Sequence, residues 1–196
     1  MPTAQSVARF QDTALEPIRE KVLAGVRLSA EDGLALYRTH DLLGLGWLAN
    51  HERERRHGDA AYFVWNTHVN HTNVCVATCD FCAFAAKPGE ERGYTMALDE
   101  VFASVAALPE QVREVHVVGG LHPRWGLEEF LAILRTLREC LPRVHLKAGT
   151  AVEVAYLARR EHLTLEETLL RLQDAGMGSL PGGGAEILHP EVRRVI

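Results

Sequence analysis

The sequence predicts an α/β protein, a partial (β/α) barrel of TIM type with parallel strands, preceded by N-terminal helices. Three observations predict it. From residue 62 onward, short β-branched or aromatic runs alternate with stretches of helical period in the order β-α-β-α-β-α-β, which builds a parallel sheet with right-handed crossovers. The residues best suited to chemistry all follow the C-terminal ends of those strands, the edge at which α/β folds bind ligands. Residues 12–57, in contrast, carry helical period without a strand signal. The expected division is a helical segment over 1–60 and the first part of a barrel over 61–196.

The elements follow in order. Leu15, Ile18, Val22 and Leu23 keep a helical period, and Gly25 ends it. Ser29 caps a second helix carrying Leu34, Leu36 and Tyr37, with Asp32 in a capping-box-like position. A third helix runs from about Asp41 to His57, and its tail from His51 reads as a solvated, ion-paired face. Tyr62 to Asn70 reads as a strand with Phe63, Trp65, Thr67 and Val69 on one face and Asn66, His68 and Asn70 on the other. The polar face is either solvent-exposed or lines a polar cavity, and the chemistry that follows the strand favours the cavity. Leu98–Leu108 is a helix with Val101, Phe102 and Val105 as its apolar stripe. Glu114–Val118 is a strand, 126–141 a helix with Leu127, Phe130, Leu131, Leu134 and Leu137 inward, and Val144–Ala148 a strand. Helices over 151–161 and 164–175 lead to a short fourth strand, Met177–Leu180.

Composition narrows the class. Apolar residues at 47% and charged residues at 24% fit a soluble globular chain, and a net charge of −5 gives no basic footprint for nucleic acid. No run of about 18 apolar residues offers a membrane span, and Met1 to Phe10 lacks the apolar region of a secretory signal. The expected location is the cytoplasm, where clustered thiols bind metal or do chemistry more often than they pair.

Three of the four cysteines fall in Cys75-Val-Ala-Thr-Cys79-Asp-Phe-Cys82. Three thiolates on one loop suit three irons of a cubane iron–sulfur cluster and leave the fourth open to a substrate. Two alternatives stand beside this. A structural zinc site needs a fourth ligand, from His71 or Cys140, and an electron-transfer cluster normally takes a fourth cysteine. Cys140, near a helix end, reads as a small core residue. Phe81 is placed to stack on an adenine. Gly119-Gly120 permits close backbone approach to a ligand or forms an ordinary strand-to-helix turn. His122 is a lone loop histidine. Gly182, Gly183 and Gly184 suggest a tight backbone path, a nearby ligand or a flexible linker. Glu153 and Glu186 suit ribose hydroxyls, or equally the first turns of helices.

Asn70-His-Thr-Asn-Val-Cys-Val-Ala-Thr-Cys-Asp-Phe-Cys-Ala-Phe84, Val118-Gly-Gly-Leu-His-Pro123, Thr150-Ala-Val-Glu153 and Ser179-Leu-Pro-Gly-Gly-Gly-Ala-Glu-Ile187 together resemble the menaquinone and deazaflavin branch of the radical S-adenosylmethionine superfamily. Within that branch they are most similar to the aminodeoxyfutalosine synthase family, with cyclic dehypoxanthine futalosine synthases and FO synthase subunits as the alternatives. Gly149 departs from the pattern, which has an aromatic residue there. The resemblance implies a [4Fe–4S] cluster on Cys75, Cys79 and Cys82, and S-adenosylmethionine held with help from Phe81, Gly119, Gly120, Glu153 and Gly182–Gly184. It implies transfer of the 5′-deoxyadenosyl radical to 3-[(1-carboxyvinyl)oxy]benzoate, giving 6-amino-6-deoxyfutalosine, methionine and bicarbonate. The implied partners are that enolpyruvyl benzoate and a one-electron reductant such as flavodoxin or ferredoxin. His68, with Asn66 and Asn70, is expected on the substrate side. The family's barrel needs more strands, so the chain reads as the N-terminal part of a longer protein, expected to be poorly soluble and nearly inactive alone.

Overall fold

In the computed structural model the described residues are 10–184 and 187–195. The first compact unit runs to Phe63 and the second begins at Val64. In the first unit a 3-10 turn, Thr13–Leu15, leads into α1 (Glu16–Leu23), α2 (Ala30–Arg38) and α3 (Leu42–His57). Phe10, Leu15, Ile18 and Leu48 form its small core, whereas Leu23, Leu34 and Tyr37 are exposed. The Ser29–Asp32 capping box forms in full, and Asp41 caps α3 by accepting the Gly44 amide at 2.9 Å. Glu52 pairs with both Arg55 and Arg56 on the exposed tail of α3.

The second unit alternates β1 (Asn66–Val69), α4 (Leu98–Ala106), β2 (Glu114–Val117), α5 (Leu127–Cys140), β3 (His145–Ala148), α6 (Ala151–Arg160) and α7 (Leu165–Asp174). The strands form one parallel sheet in the order β1-β2-β3. One sheet face is apolar because Val69, Val115, Val117, Leu146 and Ala148 alternate with polar residues, and all five are buried. Against them α5 packs Leu127, Phe130, Leu131, Ile133, Leu134 and Leu137, the stripe read from sequence plus Ile133. α4 buries Val101 and Val105 but leaves Phe102 half exposed, since the contact needs only the i, i+4 pair.

Two strand expectations are corrected. The stretch from Tyr62 joins the ladder at Asn66, opposite Glu114, with the Trp65 carbonyl accepting the Arg113 amide at 2.9 Å just before it. The expected fourth strand, Met177–Leu180, is reduced to a single parallel bridge between Lys147 and Ser179. The amides of Gly178 and Ser179 both donate to the Leu146 carbonyl, so the ladder does not advance.

Candidate functional site

The cysteine loop leaves the C-terminal end of β1 and is closed at its base by a polar stem. Asn73 accepts the Tyr94 amide at 2.7 Å and donates to the Arg92 carbonyl at 2.9 Å, while the Thr72 hydroxyl donates to the Tyr94 carbonyl at 2.8 Å. Thr72 and Asn73 are buried, and these bonds satisfy them. Cys75 is buried, and its amide donates to the Ala86 carbonyl at 2.9 Å. Cys79 and Cys82 are exposed. All three thiols line one cavity of about 170 Å³ with Lys87, Glu90 and Arg92. Lys87 donates to the Ala77 carbonyl, and Arg92 to the carbonyls of Ala83 and Ala85. Two cations thus pin the loop backbone and border the thiols. Neither is marked by a local pattern, because residues 87–93 carry turn formers and the fold alone decides which of their side chains return over the preceding loop.

The turn after β2 meets the cysteine loop directly. The Leu121 amide donates to the Cys75 sulfur at 3.3 Å. Gly119 and Gly120 are glycines because of protein backbone and an imidazole ring. A Cβ on Gly120 falls 2.3 Å from the Val74 carbonyl oxygen, and one on Gly119 falls 2.6 Å from the His71 ring. Their amides are already engaged, by the Thr72 carbonyl at 2.8 Å and the Glu153 carboxylate at 2.9 Å.

Glu153 ties two strand ends together. One carboxylate oxygen accepts the Gly119 amide and the other accepts the Thr150 amide at 2.7 Å, closing a capping box at the start of α6. Burial pushes its carboxyl above the usual range, against the pull of those amides. The triple glycine crosses the same helix start: Gly182 accepts the Ala151 amide at 2.7 Å, and Gly183 has φ +107°. A side chain on Gly183 meets the Thr150 Cβ at 3.1 Å, so a close approach and a positive φ both require glycine there. Glu186 lies outside the described residues.

The fourth ligands considered for zinc sit elsewhere. His71 is buried beneath Gly119, stacked on Trp125 at 5.6 Å and edge-on to Phe130. It lines a small cavity of about 20 Å³ with His122, Trp125, Glu153 and Tyr156. Its Nδ1 has no hydrogen-bond partner among the described residues, and burial, then His122, pushes its pKa down to about 4. His122 is buried too, so it is not a loose loop histidine. Cys140 lies at the end of α5 and packs against the core. Phe81 is half exposed beside the thiols in sequence, outside the core.

His68 projects from the face of the sheet opposite the helices, its ring 4.8 Å from that of His116. Asn66 shares that face by register.

A sequence profile of the Radical SAM superfamily matches residues 69–196. Aminodeoxyfutalosine synthase of Thermus thermophilus is 44% identical over 188 residues, 95% of this chain and 50% of that protein. The 5-amino-6-(D-ribitylamino)uracil–L-tyrosine 4-hydroxyphenyl transferase of Microcystis aeruginosa is 36% identical over 188 residues, 91% of this chain and 50% of its own length. The chain therefore spans about half the length of the curated relatives it matches. Among solved structures, methylornithine synthase superposes with a TM-score of 0.64 at 18% identity, over 83% of this chain and 46% of that one. Among the described residues no helix is long and apolar enough to cross a membrane.

Proposed function

The chain belongs to the radical SAM superfamily, whose enzymes use a [4Fe–4S] cluster and S-adenosylmethionine, and from that premise we propose that it acts in menaquinone biosynthesis by the futalosine route. The reaction is addition of the 5′-deoxyadenosyl group of S-adenosylmethionine to 3-[(1-carboxyvinyl)oxy]benzoate, giving 6-amino-6-deoxyfutalosine, methionine and bicarbonate. The observation that carries this reading is the 44% identity to an aminodeoxyfutalosine synthase over 95% of the chain, with the three thiols on one cavity.

The residues fit the cofactor in donor chemistry. Cys75, Cys79 and Cys82 share one cavity, and three thiolates leave one iron of a cubane open. When bound, the cluster supplies the one-electron cleavage of S-adenosylmethionine, with the electron drawn from a flavodoxin or ferredoxin. Leu121 holds the Cys75 sulfur, and Lys87 and Arg92 hold the loop carbonyls. The amides of Gly119 and Gly120 are taken, so a contact of this turn with the ammonium group of S-adenosylmethionine would have to come from its carbonyl oxygens. Phe81 would supply a stacking face for the adenine, Glu153 holds the Gly119 turn and the start of α6 in place, and Gly182–Gly184 would supply backbone for the nucleoside. His68, Asn66 and Asn70 meet the benzoate substrate.

The test is anaerobic reconstitution of the full-length protein with iron and sulfide, then incubation with dithionite, S-adenosylmethionine and the enolpyruvyl benzoate. Mass spectrometry is expected to find 6-amino-6-deoxyfutalosine, absent from the Cys79→Ala variant. Turnover of L-tyrosine with 5-amino-6-(D-ribitylamino)uracil, and none of the benzoate, contradicts the reading in favour of the transferase relatives.

A further inference from the structure

The sheet carries an unusual second face. Parallel sheets are usually covered on both sides by apolar layers, and small barrels fill their interior with branched side chains. Here the register sets Asn66, Glu114 and His145 in one row and His68, His116 and Lys147 in the next, all opposite the helix-packed face. Six of six positions are polar or ionisable.

These side chains form a connected group. One oxygen of Glu114 accepts from both Lys147 Nζ, at 2.8 Å, and His116 Nε2. The His116 ring meets that of His68 edge-on at 4.8 Å. The side chains of Glu114, His116 and Lys147 are 14%, 21% and 30% exposed, so each is held among its neighbours rather than waving in solvent. Lys147, and after it His116, keeps the Glu114 carboxyl below the usual range.

Lys147 and the two imidazoles bring N–H donors to this row. An ammonium has three N–H groups, and Glu114 is the one recorded partner of Lys147 among the described residues. With its Nε2 on Glu114, His116 keeps its other nitrogen available, and His68 has only the ring contact recorded. Among the described residues the carboxylate of this group is Glu114, and His116 and Lys147 share one of its oxygens. His68 is exposed at the edge of this row, and a half-sheltered ammonium flanked by two imidazoles suits an oxyanion with two acceptor oxygens. Along the strand the His68–His116–Lys147 row lies three residues, roughly 10 Å, below the Gly119 turn beside Cys75. A small aromatic acid anchored by its carboxylate in that row directs its far end toward the thiol cavity.

We propose that His68, His116 and Lys147 form a carboxylate subsite on the inner sheet face, with Glu114 as the positioning residue that orients His116 and Lys147. It rests on the radical-transfer reading in one respect, that the acid bound there is the benzoate end of the substrate.

The test uses the full chain and two probes of equal shape, benzoate and neutral benzamide. Histidine ring resonances, assigned through His68→Gln and His116→Gln, are followed during titration at fixed pH. Benzoate is expected to shift both rings, each toward its protonated position; benzamide is expected to leave them in place. Lys147→Met is expected to weaken benzoate binding about tenfold with an unchanged melting temperature. If that variant does not fold, Lys147→Gln is read in the same titration with the same expectation. Equal responses to benzoate and benzamide, or benzoate binding by a folded Lys147 variant equal to wild type, overturn the subsite. The titration needs neither cluster nor turnover. Missing product with intact benzoate selectivity therefore counts against the reaction alone, and lost selectivity with normal product formation counts against the subsite alone.

Discussion

His71 is the residue whose environment costs most. It sits between Gly119 and Trp125 with a buried Nδ1 that finds no protein partner among the described residues. In the fold it takes up a proton only near pH 4, against an ordinary 6.5. Above pH 6.5 the ring is neutral in both folded and unfolded chains, and its full contribution to stability is present. As pH falls from 6.5 toward 4 the unfolded chain binds the proton first, and on the order of 3 kcal/mol of stability is lost. Urea unfolding of the apo chain is expected to show that slope, and His71→Phe to flatten it. Gly120→Ala is a harsher change. Its Cβ falls 2.3 Å from the Val74 carbonyl oxygen, so backbone must move, at a cost of about 3 kcal/mol or more with Cys75 displaced. Arg92→Ala frees the loop carbonyls of Ala83 and Ala85 and is expected to lower iron retained per chain while melting changes little. The thiols were legible in the sequence because their spacing is local. Lys87, Arg92 and the His71–Trp125 stack were not, because they depend on which distant segments the fold brings together.

Elements built on short-range chemistry were read closely. The capping box expected at Ser29 forms, and the structure adds two more at Thr150 and Thr164, since each needs only residues three apart. Thr150→Ala is expected to cost about 1 kcal/mol. It also loosens Glu153, so thermal melting and S-adenosylmethionine affinity are expected to fall together. The α5 stripe is equally secure: Leu134 is fully buried, and Leu134→Ala is expected to cost about 2–5 kcal/mol in urea unfolding. Strand limits were read less well. β propensity marks Tyr62 to Trp65 and Met177 to Leu180, yet a strand exists only where a neighbour offers a ladder. Tyr62 and Phe63 precede any partner on β2, and Gly178 and Ser179 share one carbonyl of β3.

At the scale of the molecule, one sheet separates two kinds of chemistry. Its helix-covered face holds the apolar core, and its opposite face holds ionisable side chains in register. Its C-terminal edge gathers the thiol cavity, the Gly119 turn and the start of α6, linked through Leu121 and Glu153. The polar alternation of β1 was visible in the sequence. Its continuation through Glu114, His116 and Lys147 was not weighed there, because a face shared by three strands is visible only once the register is known. At the C-terminal edge of the sheet, we propose, the three thiols hold a cluster with one iron open to S-adenosylmethionine. Electron paramagnetic resonance of the anaerobically reconstituted, dithionite-reduced chain tests it most directly. A [4Fe–4S]⁺ signal that changes on adding S-adenosylmethionine, and is lost in Cys75→Ala, is the predicted result; a cluster signal indifferent to S-adenosylmethionine, or one zinc bound per chain with no cluster, contradicts it.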